Sequence, residues 1–132
     1  MNSEESLNPK DWILFAEEDL RSAQALFDHE DEFPHTIAYH CHQSVEKYLK
    51  AVLLVKTGTH PKTHSLIALL NICVHEDDSL ETVRLPCELL DPLYLEDKYP
   101  FETPSFSDEE LKSFIDAAQE VQRVISSKVS RG

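Results

Sequence analysis

Five of the seven histidines in this 132-residue sequence, His35, His40, His42, His60 and His64, fall within one stretch of thirty residues. Lys47, Lys50, Lys56 and Lys62 lie in the same stretch, against a single acid, Glu46. Imidazole titrates near neutrality and can move protons or ligate a metal. Lysine holds an anion as a point charge, and a glutamine amide can hydrogen-bond it. On a helix, residues three or four apart share a face, so His40, Gln43, Ser44 and Lys47 form one polar stripe, and His42, Glu46 and Lys50 another. On a functional reading, His40, Gln43 and Lys47 line a groove for an anion such as a nucleotide phosphate, with Lys50 nearby. On the plainer reading, Glu46 and Lys50 are a solvated helical ion pair contributing roughly 0.3–0.5 kcal/mol, and Gln43 bonds a neighbouring helix. His42 with Glu46, and His60 with His64, have the one-turn spacing of two metal ligands. Neither pair brings the third ligand of a stable site, so no metal or cofactor is expected.

The elements that must position these residues are helical. Asn8-Pro9 gives a cap and a first-turn proline, and Trp12, Phe15, Ala16, Leu20, Ala23, Leu26 and Phe27 follow on one stripe, which predicts a helix over about 9–28. Pro34 opens a second helix, about 35–57, with Ile37, Cys41, Ser44, Val45, Tyr48, Val52 and Val55 as its buried face and Gly58 as its left-handed stop. Leu66, Leu69, Leu70 and Cys73 predict a short third helix over about 64–75 with Thr63 as its cap. His64, at its start, reads as a further capping side chain. Leu80, Val83, Cys87, Leu90 and Tyr94 keep helical spacing through Pro86 and Pro92, which predicts a kinked or split fourth helix over about 79–97. Ser107-Asp-Glu-Glu110 is a capping box that launches Leu111, Phe114, Ile115, Ala118, Val121 and Ile125 on a last helix over about 108–127.

No stretch alternates as a strand does, and there is no repeat or low-complexity linker. These patterns predict an all-α, antiparallel up-and-down bundle of about five helices, one domain over residues 1–132. Only two glycines are present, so phosphate loops and dinucleotide fingerprints are excluded. The polar N-terminus lacks a secretory signal, and the longest apolar run, Ala51 to Val55, cannot cross a bilayer. Cys41, Cys73 and Cys87 are odd in number and widely spaced, which fits reduced core thiols and a cytoplasmic setting.

With 12 basic and 25 acidic residues the net charge is −13, a field that repels phosphate backbones and disfavours autonomous nucleic-acid binding. Residues 35–64 carry +3 and the remainder −16. The acidic tracts Glu17-Glu18-Asp19, Glu30-Asp31-Glu32, Glu76-Asp77-Asp78 and Asp108-Glu109-Glu110 read as solvated faces and helix N-terminal charge. Tyr99, followed by Pro100, is expected to pack back over the bundle with its hydroxyl paired.

Tyr39-His-Cys-His-Gln-Ser-Val-Glu-Lys-Tyr-Leu-Lys-Ala-Val-Leu-Leu54, then Lys62-Thr-His-Ser-Leu-Ile-Ala-Leu-Leu70 and Asp97-Lys-Tyr-Pro100, resemble the HEPN domain family. Asp19-Leu20 and Ala23 precede the Gln43, Glu46, Lys47 and Lys50 signature in the order that family shows. The resemblance implies a bundle of roughly five helices, usually a homodimer, in prokaryotes often encoded beside a minimal nucleotidyltransferase as a toxin–antitoxin-like pair. It also implies either of two roles, ribonuclease or non-catalytic module. The family's ribonucleases carry Arg followed after four to six residues by His. Here Arg21, Arg84, Arg123 and Arg131 have no His at that spacing; His29 follows Arg21 by eight. Lys98 stands where relatives often show Arg before Tyr-Pro, and lysine lacks the bidentate fork that clamps a phosphate.

The sequence therefore points to a non-catalytic HEPN-type binding module, with a homodimer, a minimal nucleotidyltransferase and a nucleotide as its partners. Ligand contacts are expected from His40, Gln43, Lys47, Lys50, His64, Lys98 and Tyr99, and no catalytic residue is assigned. The alternative is a divergent ribonuclease that uses His40, His42 or His64 for acid–base work. A third role, as the acceptor of AMP from the partner, would fall on Tyr99 or another hydroxyl of the C-terminal half.

Overall fold

Asn8 accepts a hydrogen bond from the Lys10 backbone N–H at 3.0 Å, and with Pro9 behind it the chain turns into helix α1, Pro9–Asp28. Helix α2, Pro34–Thr57, starts at its proline and ends at Gly58, whose φ of 81° lets its N–H reach the Leu54 carbonyl at 3.0 Å. Helix α3 spans Leu66–Glu76, α4 Arg84–Leu90 and α5 Asp108–Val129. The computed structural model describes residues 6–29, 33–94 and 105–129, and among these the chain is an all-helical bundle of five α-helices.

The fourth predicted helix is three pieces: a 3-10 segment Asp78–Val83, then α4, then a 3-10 turn Asp91–Leu93. Pro86 has no N–H and its ring would strike the carbonyl one turn earlier, so α-helix can begin only within a turn of it, at Arg84. Pro92 imposes the same restriction further along the chain, and α4 stops at Leu90. Residues 95–97 of the predicted helix lie outside the described residues. The third helix also starts later than predicted, and its cap is Ser65, which accepts from the Ala68 N–H at 3.1 Å, while Thr63 binds the Ser65 N–H instead. A second acceptor reaches this helix end from across the bundle: Asp91 Oδ1 takes the Leu66 N–H at 2.7 Å. The α5 capping box closes as read, with Glu110 N–H on Ser107 Oγ and Ser107 N–H on the Glu110 carboxylate.

Helix α2 is the axis of the packing, in contact with α1, α3, α4 and α5. Surrounded in this way, it buries nearly every residue from Ile37 to Leu54, far more than one apolar stripe. Val55, predicted for the buried face, is 51% exposed because the helix by then extends beyond its neighbours. Trp12, Tyr48, Leu49, Leu53, Leu66, Leu69 and Leu80 anchor one continuous core, and Trp12 is fixed by donating its indole N–H to the Ser6 carbonyl at 2.9 Å. At about 25 cal/mol per Å² of buried apolar surface, such large side chains each contribute on the order of 2 kcal/mol. Among the described residues, no helix is long and apolar enough to cross a membrane.

Candidate functional site

Two carboxylates organise the polar residues of α2, one on each side of the helix. The first is Asp19 of α1. Its position continues the inward stripe of Trp12 and Ala16, so it faces α2 and is not on the solvated face expected for the tract Glu17-Glu18-Asp19. Lys47 Nζ donates to Oδ2 at 2.5 Å and His40 Nδ1 meets Oδ1 at 2.8 Å. Ser44, between them, donates to the Ala16 carbonyl at 2.9 Å, which seats this stretch of α2 closely on α1.

The second is Glu46. Lys50 Nζ donates to Oε2 at 2.9 Å, the His64 Nδ1–H is shared between both oxygens at 3.1 Å, and Gln43 Nε2 lies 3.5 Å from Oε1. Glu46 is 2% exposed and Lys50 3%, so the solvated ion pair expected between them is a buried one. The reason is the central position of α2, whose flanking stripes are covered by α1 on one side and by α3 with its preceding loop on the other. Lys50 also stands 5.4 Å over the Trp12 ring, whose edge receives His60. His64 is therefore not a helix cap; it stacks at 4.3 Å and 11° on Tyr94, the residue immediately after the 3-10 turn.

His42 completes this second cluster. Its Nδ1 is 3.8 Å from Glu46 Oε1, its ring lies 5.4 Å from that of Tyr94, and neither nitrogen has a hydrogen bond of good geometry. Burial holds the imidazole down at about 4, against the opposing pull of Glu46, Asp91 and the His64 backbone. His42 is thus neutral at physiological pH and out of reach of solvent. The thiols of Cys41, Cys73 and Cys87 are free and buried, and burial pushes each up to about 12, so they are unreactive core residues.

Of the residues singled out by sequence, Gln43, Lys50 and His64 meet at Glu46, whereas His40 and Lys47 meet at Asp19. The two groups are bridged by aromatic rings, since Tyr39 lies 6.4 Å from His40 and 6.0 Å from Tyr94. Lys98 and Tyr99 lie outside the described residues. Sequence reasoning passed over Tyr94, Asp91 and the buried role of Asp19. The signal for Asp19 was available, an acid seven residues beyond Trp12 on the buried stripe; helical spacing set Tyr94 on an apolar stripe, but nothing local gave its ring partners or the contact of Asp91, which are made across the bundle. Among the described residues, no group of three His, Cys, Asp or Glu side chains is arranged to hold a metal ion. Chemically, the arrangement offers two imidazoles each oriented through Nδ1 by a carboxylate, and cations that are already neutralised.

A family model described as the HEPN domain matches residues 9–128. The fold is similar to that of TT1696 from Thermus thermophilus, at a TM-score of 0.78 and 25% identity over 91% of this chain and 97% of that one. It is also similar to ST0689, an archaeal HEPN homologue, at a TM-score of 0.73 and 20% identity over 92% and 98%. No curated protein matches the chain. With the Gln43, Glu46, Lys47 and Lys50 signature carried on α2, and a model match running from α1 into the last helix, the chain belongs to the HEPN domain family.

Proposed function

We propose that this chain is a non-catalytic HEPN module, a homodimer that binds a minimal nucleotidyltransferase in a toxin–antitoxin-like pair. One observation carries the reading: both α2 lysines at the site are bonded to carboxylates of the same chain, Lys47 to Asp19 and Lys50 to Glu46. Phosphodiester cleavage by acid–base chemistry needs two proton-transfer groups about the phosphate and a cation for the developing charge. Here His42 is buried and neutral, Lys50 is buried, and a net charge of −13 opposes RNA. The missing Arg–His spacing supports the same conclusion. Nucleotide binding on α2 is the further component of this reading, and it requires His40 or Lys47 to turn from Asp19 to a phosphate.

Co-expression with a nucleotidyltransferase encoded beside it, followed by affinity purification and mass measurement, is expected to return a stable complex. Recovery of the two proteins separately at micromolar concentration overturns the partner half of the proposal.

One feature favours the ribonuclease as a second reading. His64 is about one-third exposed and is held through Nδ1 by Glu46, the orientation a general base requires. Incubation of the folded protein with RNA separates the two: cleavage that His64→Ala abolishes establishes the nuclease, and intact RNA removes it.

A further inference from the structure

Residues 59–65 join α2 to α3 and cross the flank of α2 that carries Glu46. Their own hydrogen bonds are local: Thr57 with Thr59, His60 with the Pro61 carbonyl, and the Ser65 N–H with Thr63. Two histidines fasten the segment to the bundle. His60 meets the Trp12 ring at 4.8 Å and 72°, while His64 binds Glu46 through Nδ1 and stacks on Tyr94. Just beyond, the Leu66 N–H is tied to Asp91 Oδ1.

Beneath this segment His42, Glu46 and Lys50 follow one another at one-turn spacing, 0%, 2% and 3% exposed. Glu46 and Lys50 satisfy each other. His42 does not share in that balance, since neither of its nitrogens has a hydrogen bond of good geometry. A buried polar group in this position gains most when water reaches it. The charged and titratable groups facing it are Glu46 on its own helix, Asp91 on the 3-10 turn and His64 on the covering segment, with the Tyr94 ring beside them. The two carboxylates favour a proton on His42, burial and His64 oppose it, and burial prevails. Covered, the imidazole takes a proton only near 4; uncovered, it returns towards its ordinary 6.5. The covered form therefore binds fewer protons between these values, and falling pH favours the uncovered one.

We infer that residues 59–65 form an acid-released strap, latched by His60 and His64, that lifts when His42 takes a proton and uncovers the His42–Glu46–Lys50 stripe. Lifting breaks the His64–Glu46 bond, the two ring contacts and the Leu66–Asp91 bond, and leaves the helices packed. Covered, the stripe has no net charge; uncovered and protonated, it carries +1. The device goes beyond the proposed function and depends on neither the nucleotidyltransferase nor a nucleotide.

The test is amide hydrogen exchange of the full chain followed by NMR at pH 7 and pH 5, with each rate divided by its intrinsic rate at that pH. The Leu66 N–H reports the strap and the Leu53 N–H the core of α2. Leu66 is expected to open more readily than Leu53 at both pH values, without acceleration by low urea, as local opening requires. Its opening should rise about twentyfold between pH 7 and pH 5, the ratio set by proton uptake at 4 and at 6.5. His42→Leu should remove that rise. His64→Ala, at a partly exposed position, should raise Leu66 opening about tenfold at pH 7 with unchanged circular dichroism, by loss of a charge-assisted bond. Equal protection of Leu66 and Leu53 means that only global unfolding exposes the stripe, and overturns the strap. An opening indifferent to pH, or a rise that persists in His42→Leu, overturns the proton trigger. Wild-type protection in His64→Ala overturns the latch, and the wild-type and His64→Ala measurements decide the matter even if His42→Leu does not fold.

Discussion

Glu46 and His64 stand 18 residues apart in the chain and meet at 3.1 Å, and through that contact the loop before α3 is held to the middle of α2. The same carboxylate neutralises Lys50, whose ammonium lies under α1 beside the Trp12 ring. Helices α1 and α2, the loop before α3 and, through the His64–Tyr94 stack, the end of the α4 region therefore share one buried negative charge.

Removing that charge should be costly. Glu46→Gln leaves the Lys50 ammonium buried without a counter-ion and is expected to lower unfolding free energy by about 3 kcal/mol, the range for breaking a buried pair from one side. Replacing both partners, as Glu46→Leu with Lys50→Met, should recover most of the loss, because neither charge then needs solvation. Urea titration of the three proteins measures both effects. A Glu46→Gln variant within about 0.5 kcal/mol of the wild type would show that the pair is solvated after all.

His42 makes stability depend on pH in a definite window. Folded, its imidazole takes a proton only near 4, while unfolded it does so near 6.5. The unfolded chain thus binds more protons between these values, and acid favours unfolding there. The contribution is complete above about 6.5 and is lost as pH falls towards 4, by up to about 3 kcal/mol. Urea titrations at pH 7 and pH 5 should show the decline, and His42→Leu should flatten it; an unchanged slope in the variant rejects the assignment. Asp77 titrates in a separate, lower window. The Ser79 hydroxyl and then the Lys128 ammonium hold its carboxyl down at about 2, below its ordinary 3.8, so its contribution is present above 3.8 and is lost only as pH falls from there towards 2.

Asp19 competes with any anion for Lys47 and His40. Asp19→Asn removes that competitor and is expected to tighten pyrophosphate binding about tenfold relative to the wild type, a difference of about 1.4 kcal/mol. Thermal shift against pyrophosphate concentration measures it. Identical curves for the two proteins would mean that the His40–Lys47 face is closed to anions.

Gly58 ends α2 in the left-handed region at φ 81°, and a Cβ added there meets nothing within 4 Å. The expected cost of Gly58→Ala, about 1 kcal/mol, is therefore one of backbone conformation and not of collision. Gly58→Asn should cost less, since asparagine tolerates this region. Equal melting temperatures for glycine and alanine would contradict the assigned stop.

Much of the fold was legible because its signals are local. Asn8-Pro9, Pro34, Gly58 and the Ser107–Glu110 box act within a turn of themselves, and they bound α1, α2 and α5 where periodicity places them. Local signals failed where two competed. Thr63 and Ser65 are both good caps, and only the approach of Asp91 to the Leu66 N–H accompanies the choice of Ser65. The proline-bearing region kept its apolar spacing through three short segments, because 3-10 and α turns bury similar faces over a few residues.

The sequence by itself determined that this chain is helical, that α2 concentrates its histidines and lysines, and that these residues fall on two stripes. Helical spacing and charge are properties of adjacent residues and need no partner. Only the tertiary structure decided what those stripes do. By placing α2 at the centre, it buried Glu46 and Lys50, turned His40 and Lys47 towards Asp19, and brought His64 from the next loop onto Glu46 and Tyr94. The availability of a lysine's charge depends on the nearest carboxylate in space, and that distance is set by how helices pack.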